Sequence, residues 1–211
     1  MVDFPKCRRT TWAEADGWAD TIADRVLDAG RTPTTIVALT RGGWVPARLV
    51  ADRLRVKRLV SLRAQHWGVT ATPSGAAEIT EGLSGPVRDE DVLIVDDITD
   101  TGQSLSLALD HVRSADAKRV ETATCLHLTH STFVPTYAAE EIPRDAWVWV
   151  VFPWNYWEDL ATLARRAFDE THDVAGSAHL LEQRCGFHAP LDDVKAVLSG
   201  QRAPPSGTRT A

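Results

Sequence analysis

The 211-residue chain is poor in sulfur, with three cysteines and one methionine. Cys7, Cys125 and Cys185 are odd in number and widely spaced in sequence, a pattern that predicts no metal-ligand or redox pair. A reducing cytoplasm is the simplest setting for them. No apolar run approaches the roughly twenty residues of a membrane span, and Met1 to Arg9 lacks the apolar core of a signal peptide. A basic excess is missing too: the net charge is −6, so there is no general attraction to nucleic acid. Internal repeats are absent, and no linker is long enough to separate two full domains. What is plentiful is tryptophan, eight residues gathered partly in the C-terminal third and mainly core material by nature.

The most informative stretch runs from Val92 to Ser104, Val-Leu-Ile-Val-Asp-Asp-Ile-Thr-Asp-Thr-Gly-Gln-Ser. Val92 to Val95 predict a short buried strand, with Asp96 and Asp97 where the strand should end. Leu105, Leu107, Leu109 and Val112 predict a following helix. A strand, a short polar loop and a helix start make an anion site, because backbone N–H groups in the first helical turn lack intrahelical partners. Gly102 allows close approach, and Thr101 and Ser104 add hydroxyl donors. Asp96 and Asp97 would repel a bare phosphate. They suit a ligand that carries hydroxyls and Mg2+ beside its phosphate, and a phosphorylated ribose fits.

A second strand–loop–helix site precedes it. Thr35 to Leu39 read as a buried strand, Thr40-Arg41-Gly42-Gly43 as an anion loop, and Trp44 to about Leu54 as a helix with Pro46 in its first turn. Ahead of it, Thr10 or Thr11 could cap a helix whose stripe is Trp12, Ala15, Ala19, Ile22, Ala23, Val26 and Leu27, with Gly30 as its stop. Leu59 to Arg63 predict another strand. Residues 66–89 are rich in Gly, Ser, Thr and Pro and read as loop or weakly paired ribbon. Lys118 to His127 and Ala146 to Trp154 predict two more strands, with 129–137 and Glu141 to Asp145 as loop and turn between them. Trp157 to about Asp169 is expected to be a helix, and Val174 to Gly200 to hold two shorter ones. Alternating strands and helices argue an α/β fold, a parallel twisted sheet with helices on both faces.

The stretch from Val92 to Ser104 resembles the phosphoribosyl-pyrophosphate (PRPP) motif of the type I phosphoribosyltransferases. Arg41-Gly42-Gly43, and Trp149-Val150-Val151-Phe152-Pro153-Trp154, are similar to segments of the xanthine–guanine and archaeal purine members. The resemblance covers roughly residues 10–160. It implies that Asp100, Thr101, Gly102, Gln103 and Ser104 hold the 5′-phosphate of PRPP. Asp96 and Asp97 would hold the ribose hydroxyls directly or through Mg2+, with Asp97 as metal ligand. Thr40, Arg41, Gly42 and Gly43 would hold pyrophosphate, with a cis peptide between Thr40 and Arg41. Asp100 would handle the proton at purine N7. Trp149 would stack on the base, in preference to Trp147, and the Val150 backbone would meet the base edge. A flexible lid within 66–89 would close over the reacting centre, and a small hood would receive the base.

One departure bears on the base. The purine-specific relatives place a lysine after the strand that here ends at His127 or Leu128, and this chain has none. A neutral His127 could offer one hydrogen bond instead. The expectation is a purine-salvage transferase for xanthine, guanine or hypoxanthine, acting without nucleic acid or membrane and, by family analogy, as a homodimer or higher homo-oligomer. A transferase for a different base or acceptor, and a non-catalytic PRPP-binding regulator, remain the alternatives. The expected organisation is a catalytic domain with its hood over 1–170, a C-terminal helical extension over 171–200, and a disordered tail over 201–211.

Overall fold

Residues 4–66 and 77–200 are described by the computed structural model of the chain. The centre of the expected lid, 67–76, and the polar tail from 201 lie outside the described residues. The order is β1 (Cys7–Arg9), α1 (Trp12–Asp28), β2 (Thr35–Thr40), α2 (Trp44–Leu54), β3 (Arg58–His66), β4 (Ala77–Glu81) and β5 (Asp91–Thr99). There follow α3 (Gln103–Ser114), β6 (Arg119–Leu128), β7 (Tyr137–Ile142), β8 (Trp149–Val151), α4 (Tyr156–Thr171), α5 (Val174–Cys185) and α6 (Leu191–Ser199). The chain divides into two compact units: Trp12–Trp147, and Met1–Thr11 with Val148–Ala211.

The first unit is built on a six-stranded sheet in the order β4-β3-β2-β5-β6-β7. Every neighbouring pair is parallel except β3–β4. All six residues of β2 are buried, as expected of a central strand covered on both faces. Side chains alternate across a strand, so Val37, Leu39, Val92 and Ile94 share one face. There they form a core with Leu105, Ala108 and Val112 of α3. Helix α2 packs on β2 and β5, and α1 on β6 and β7. From β2 the chain crosses over through α2 to β3 on one side; from β5 it crosses through α3 to β6 on the other. Right-handed crossovers running in opposite directions put their helices on opposite faces. The order therefore reverses between β2 and β5, and in open α/β sheets ligands bind beyond the C-terminal strand ends at such a reversal.

Several elements differ from the sequence reading. Strand β5 does not stop at the carboxylates but continues to Thr99, because β6 runs beside it as far as His127. Residues 137–142, where the sequence reading ends a loop at Tyr137 and opens a turn at Glu141, form the parallel edge strand β7. The β6–β7 connection contains no helix. It can be short because β7 begins level with Ala123, so the chain retraces only the latter half of β6. On α1, Trp18 joins the buried stripe while Trp12 and Leu27 are exposed.

In the second unit the expected long strand over 146–154 shrinks to Trp149–Val151. Its parallel partner is β1, where the sequence reading gives no strand and which offers only three residues to pair. The Thr10 N–H donates to the Val151 carbonyl at 3.0 Å, where the ladder ends. The core gathers Phe4, Val151, Leu160, Leu163, Leu181, Phe187 and Val194, from both ends of the chain and from α4, α5 and α6. Full burial of one such side chain is worth about 1.5–3 kcal/mol. The Tyr156 hydroxyl donates to Asp193 Oδ2 at 2.7 Å inside this core. The Asp173 carboxylate caps α5 by accepting from Gly176 N–H, and Gly186 closes the same helix at φ 68°. Helix α4 thus shares its core with α5 and α6, and the two compact units meet in the chain at Trp147/Val148.

Candidate active site

Two loops meet at the reversal point. The first leaves β2 at Thr40, whose hydroxyl donates to the Leu62 carbonyl. The Thr40–Arg41 peptide is cis, as the resemblance implied. Gly43 N–H donates to the Leu39 carbonyl at 2.9 Å, turning the chain into α2. A side chain on either glycine would force its neighbours to move. A Cβ on Gly43 would come within 2.3 Å of the Val95 carbonyl oxygen, and one on Gly42 would strike both carboxylate oxygens of Asp97. The loop after β2 and the buried carboxylate on β5 are therefore in direct contact, with Arg41 exposed beside them.

The carboxylate pair lies at the end of β5. Asp96 accepts from the Asp97 N–H at 2.9 Å. Burial, and then the neighbouring charge of Asp97, push the Asp96 carboxyl well above its usual range, and the backbone donor offsets only part of this. A pair under that pressure favours a ligand that brings positive charge or hydroxyl donors. Cys125, on the adjacent strand, is buried, and its thiol is pushed up by burial and by the same two carboxylates, so it is no nucleophile.

The second loop follows Thr99. Asp100 and Thr101 are exposed, Gly102 takes φ 83°, and α3 starts at Gln103. Gly102 is the helix N-cap and has no side chain to offer, while the Gln103 N–H reaches Thr101 Oγ1 at 3.4 Å. Its left-handed backbone and its surroundings both require glycine, since a Cβ there would lie 2.5 Å from Phe133 Cβ and 2.6 Å from Ser131 Oγ.

Those two neighbours belong to the β6–β7 connection, which passes over this loop. His130 Nε2 lies 2.8 Å from Asp100 Oδ1. Thr132 donates from its hydroxyl to the Thr101 carbonyl at 3.0 Å, and its N–H reaches the same oxygen at 3.4 Å. Nothing in the local sequence gives this histidine a role. The available signal was topological: β5 and β6 are adjacent and parallel, so residues just beyond their C-terminal ends must lie together.

His127 pairs in register with Thr99 and is 4% exposed. Burial lowers its pKa, against a smaller opposing pull from Glu141, so the ring is neutral at physiological pH. Among the described residues its Nδ1 has no hydrogen-bond partner, nor does Thr99 Oγ1. Thr40 to Gly43, Asp96 to Ser104 and His127 all belong to the sheet unit. Trp149 and Val150 belong to the other, where both are half-buried and the Trp149 indole N–H donates to Asp159 Oδ1 at 3.2 Å.

Residues 11–165 match the family described as the phosphoribosyl transferase domain. A xanthine-guanine phosphoribosyltransferase of Nitratidesulfovibrio vulgaris (strain DP4) is 26% identical over 154 residues, covering 72% of this chain and 86% of the relative. One from Desulfotalea psychrophila is 29% identical over 122 residues, 57% of this chain and 69% of the relative. Among solved structures, a purine phosphoribosyltransferase from Pyrococcus horikoshii OT3 is similar, with a TM-score of 0.61 and 25% identity, covering 71% of this chain and 93% of that one. With the family match spanning both anion loops and the carboxylate pair between them, this chain belongs to the phosphoribosyl transferase domain family.

Proposed function

We propose that the protein transfers 5-phosphoribose from PRPP to a 6-oxopurine, namely xanthine, guanine or hypoxanthine, and releases pyrophosphate, as a purine-salvage enzyme. The observation that carries this reading is the contact between Gly42 and Asp97, which joins a pyrophosphate-type loop to a ribose-type carboxylate pair. In this reading the 5′-phosphate sits on the backbone N–H groups and hydroxyls of Thr101 to Ser104. Asp96 and Asp97 receive the ribose hydroxyls, and their charge favours the positive character that develops at C1. Arg41 and the N–H groups of residues 40–43 receive the leaving pyrophosphate. Asp100 takes the N7 proton as the new bond forms at N9.

The donor set suits Mg2+, since burial and the charge of Asp97 raise the pKa of the adjacent Asp96 carboxyl, a pressure that a hard dication relieves. Asp97, with Asp96 beside it, would hold the ion. Among the described residues no cluster of three or more His, Cys, Asp or Glu side chains could hold a metal, so substrate oxygens and water would complete the shell. When bound, the ion supplies charge neutralisation at the pyrophosphate.

For the base, Trp149 supplies a stacking face, Val150 its backbone, and His127 a neutral imidazole where relatives carry lysine. The relatives named for xanthine and guanine support this choice of base. The absent lysine supports a second reading, a transferase for another base. Cytoplasmic location and assembly as a homodimer or higher homo-oligomer complete the proposal. The test is pyrophosphate release with Mg2+ and PRPP across a panel of purine and pyrimidine bases. Activity with a 6-oxopurine supports the first reading, activity with another base alone supports the second, and PRPP binding without turnover points to a regulator.

A further inference from the structure

We infer that His130 is a positioning residue for Asp100, an inference that rests on the reaction proposed above. Asp100 stands on an exposed loop, with its side chain 49% accessible. A carboxylate there samples several rotamers unless something holds it, and each additional rotamer lowers the chance that its oxygen meets the proton of the base. His130 supplies the restraint. Its side chain is 26% accessible, and Nε2 lies 2.8 Å from Asp100 Oδ1. With Asp100 ionised, Nε2 carries the hydrogen and donates it. That leaves Oδ2 to take the proton from the base.

The restraint is built from more than one contact. Consecutive residues of the β6–β7 connection engage consecutive residues of the phosphate loop. His130 meets Asp100, Thr132 bonds the Thr101 carbonyl through hydroxyl and N–H, and Ser131 and Phe133 close on the face of Gly102. Ser131 is itself fixed, donating to the Phe133 carbonyl at 2.9 Å and accepting from the Phe133 N–H at 3.2 Å. The connection can do this because it has no helix and runs straight back along β6. His130 is thus set by a strap that also shapes the phosphate site, while its imidazole meets the acid–base group of that loop.

The experiment compares steady-state kinetics of wild type, His130→Ala, His130→Gln, Asp100→Asn and the Asp100→Asn/His130→Ala double variant. A glutamine amide can reach where Nε2 stands and donate one hydrogen. His130→Ala is expected to lower kcat about tenfold with KM for PRPP changed less than about twofold, and His130→Gln to stay within about threefold of wild type. The double variant should be no slower than Asp100→Asn alone, because a residue that acts through Asp100 has nothing left to act on. Thermal melts of each variant accompany the kinetics, and His130→Gln keeps the test usable if His130→Ala unfolds.

Wild-type kcat in His130→Ala overturns the inference while leaving the transferase reading intact. A rise in KM for PRPP at unchanged kcat, or additive losses in the double variant, overturns it in favour of a purely structural strap. If the wild-type protein releases no pyrophosphate with any base, the reading beneath fails and the inference falls with it. That failure is seen in the wild type alone and so is distinct from the others.

Discussion

The Asp97 carboxylate occupies the space where a side chain on residue 42 would begin: a Cβ on Gly42 would lie 2.3 Å from Oδ2 and 2.5 Å from Oδ1 and Cγ. Sequence places these residues more than fifty positions apart, yet neither the loop nor the carboxylate can be set without the other. Gly42→Ala should therefore fold, since the loop is at the surface, but push Asp97 from its place. PRPP affinity by titration calorimetry should fall at least tenfold, and unchanged affinity would show that the carboxylate can yield without cost.

The carboxylate pair also makes a prediction about pH. Asp96 titrates higher in the folded protein than its ordinary value near 3.9. Its protonated form favours the fold, so that contribution is complete below the ordinary value and is lost as pH rises to the raised folded value. Asp96→Asn removes the loss. Measured without divalent cations, its melting temperature should match wild type in acid and exceed it above the folded titration, by about 2–4 °C per kcal/mol recovered. Turnover should fall in the same variant, because the ribose loses a carboxylate. Equal melting temperatures at every pH would mean that the pair is not under the pressure described.

Trp149 separates two roles that one substitution would confuse. Its indole N–H bonds Asp159, so alanine removes both the ring and that bond. Trp149→Ala should raise KM for the base about tenfold or more, in line with about 1–3 kcal/mol for stacking. Trp149→Phe keeps a ring and loses the N–H, and should stay within about threefold. If both variants lose affinity equally, the hydrogen bond and not the ring face matters.

Tyr156→Phe tests the other unit without touching the proposed site residues. It leaves Asp193 buried without its hydroxyl donor. The expected cost is about 1–3 kcal/mol, read as a lower urea midpoint at unchanged slope. No loss would mean that Asp193 finds another donor.

Much of this was legible in the residues because local sequence carries it. The apolar run at Val92 to Val95, the Gly102 turn and the Arg41-Gly42-Gly43 loop declare themselves through composition and order. The fold class follows from the alternation of strands and helices. What was hidden depends on neighbours. Tyr-Ala-Ala-Glu-Glu-Ile at 137–142 has little β character of its own and becomes a strand because β6 offers an edge. The aromatic segment beyond Trp147 is β-prone throughout, yet only Trp149 to Val151 find a partner. Asp96 and Asp97 look like loop residues and are strand residues, held by a strand some thirty positions later. His130 carries no pattern at all. Its meaning comes from where β6 ends.

The helix-free return from β6 to β7 has a consequence for how the molecule would report its own occupancy. Strand β7 lies at the sheet edge, hydrogen-bonded to β6, and its lead-in chain is fastened to the loop after β5 through Thr132 and Phe133. An anion that stills the loop also stills that lead-in, and with it the fraying of the edge. Amide hydrogens along Tyr137–Ile142 should then exchange more slowly when PRPP is bound, although none of them belongs to the proposed phosphate site.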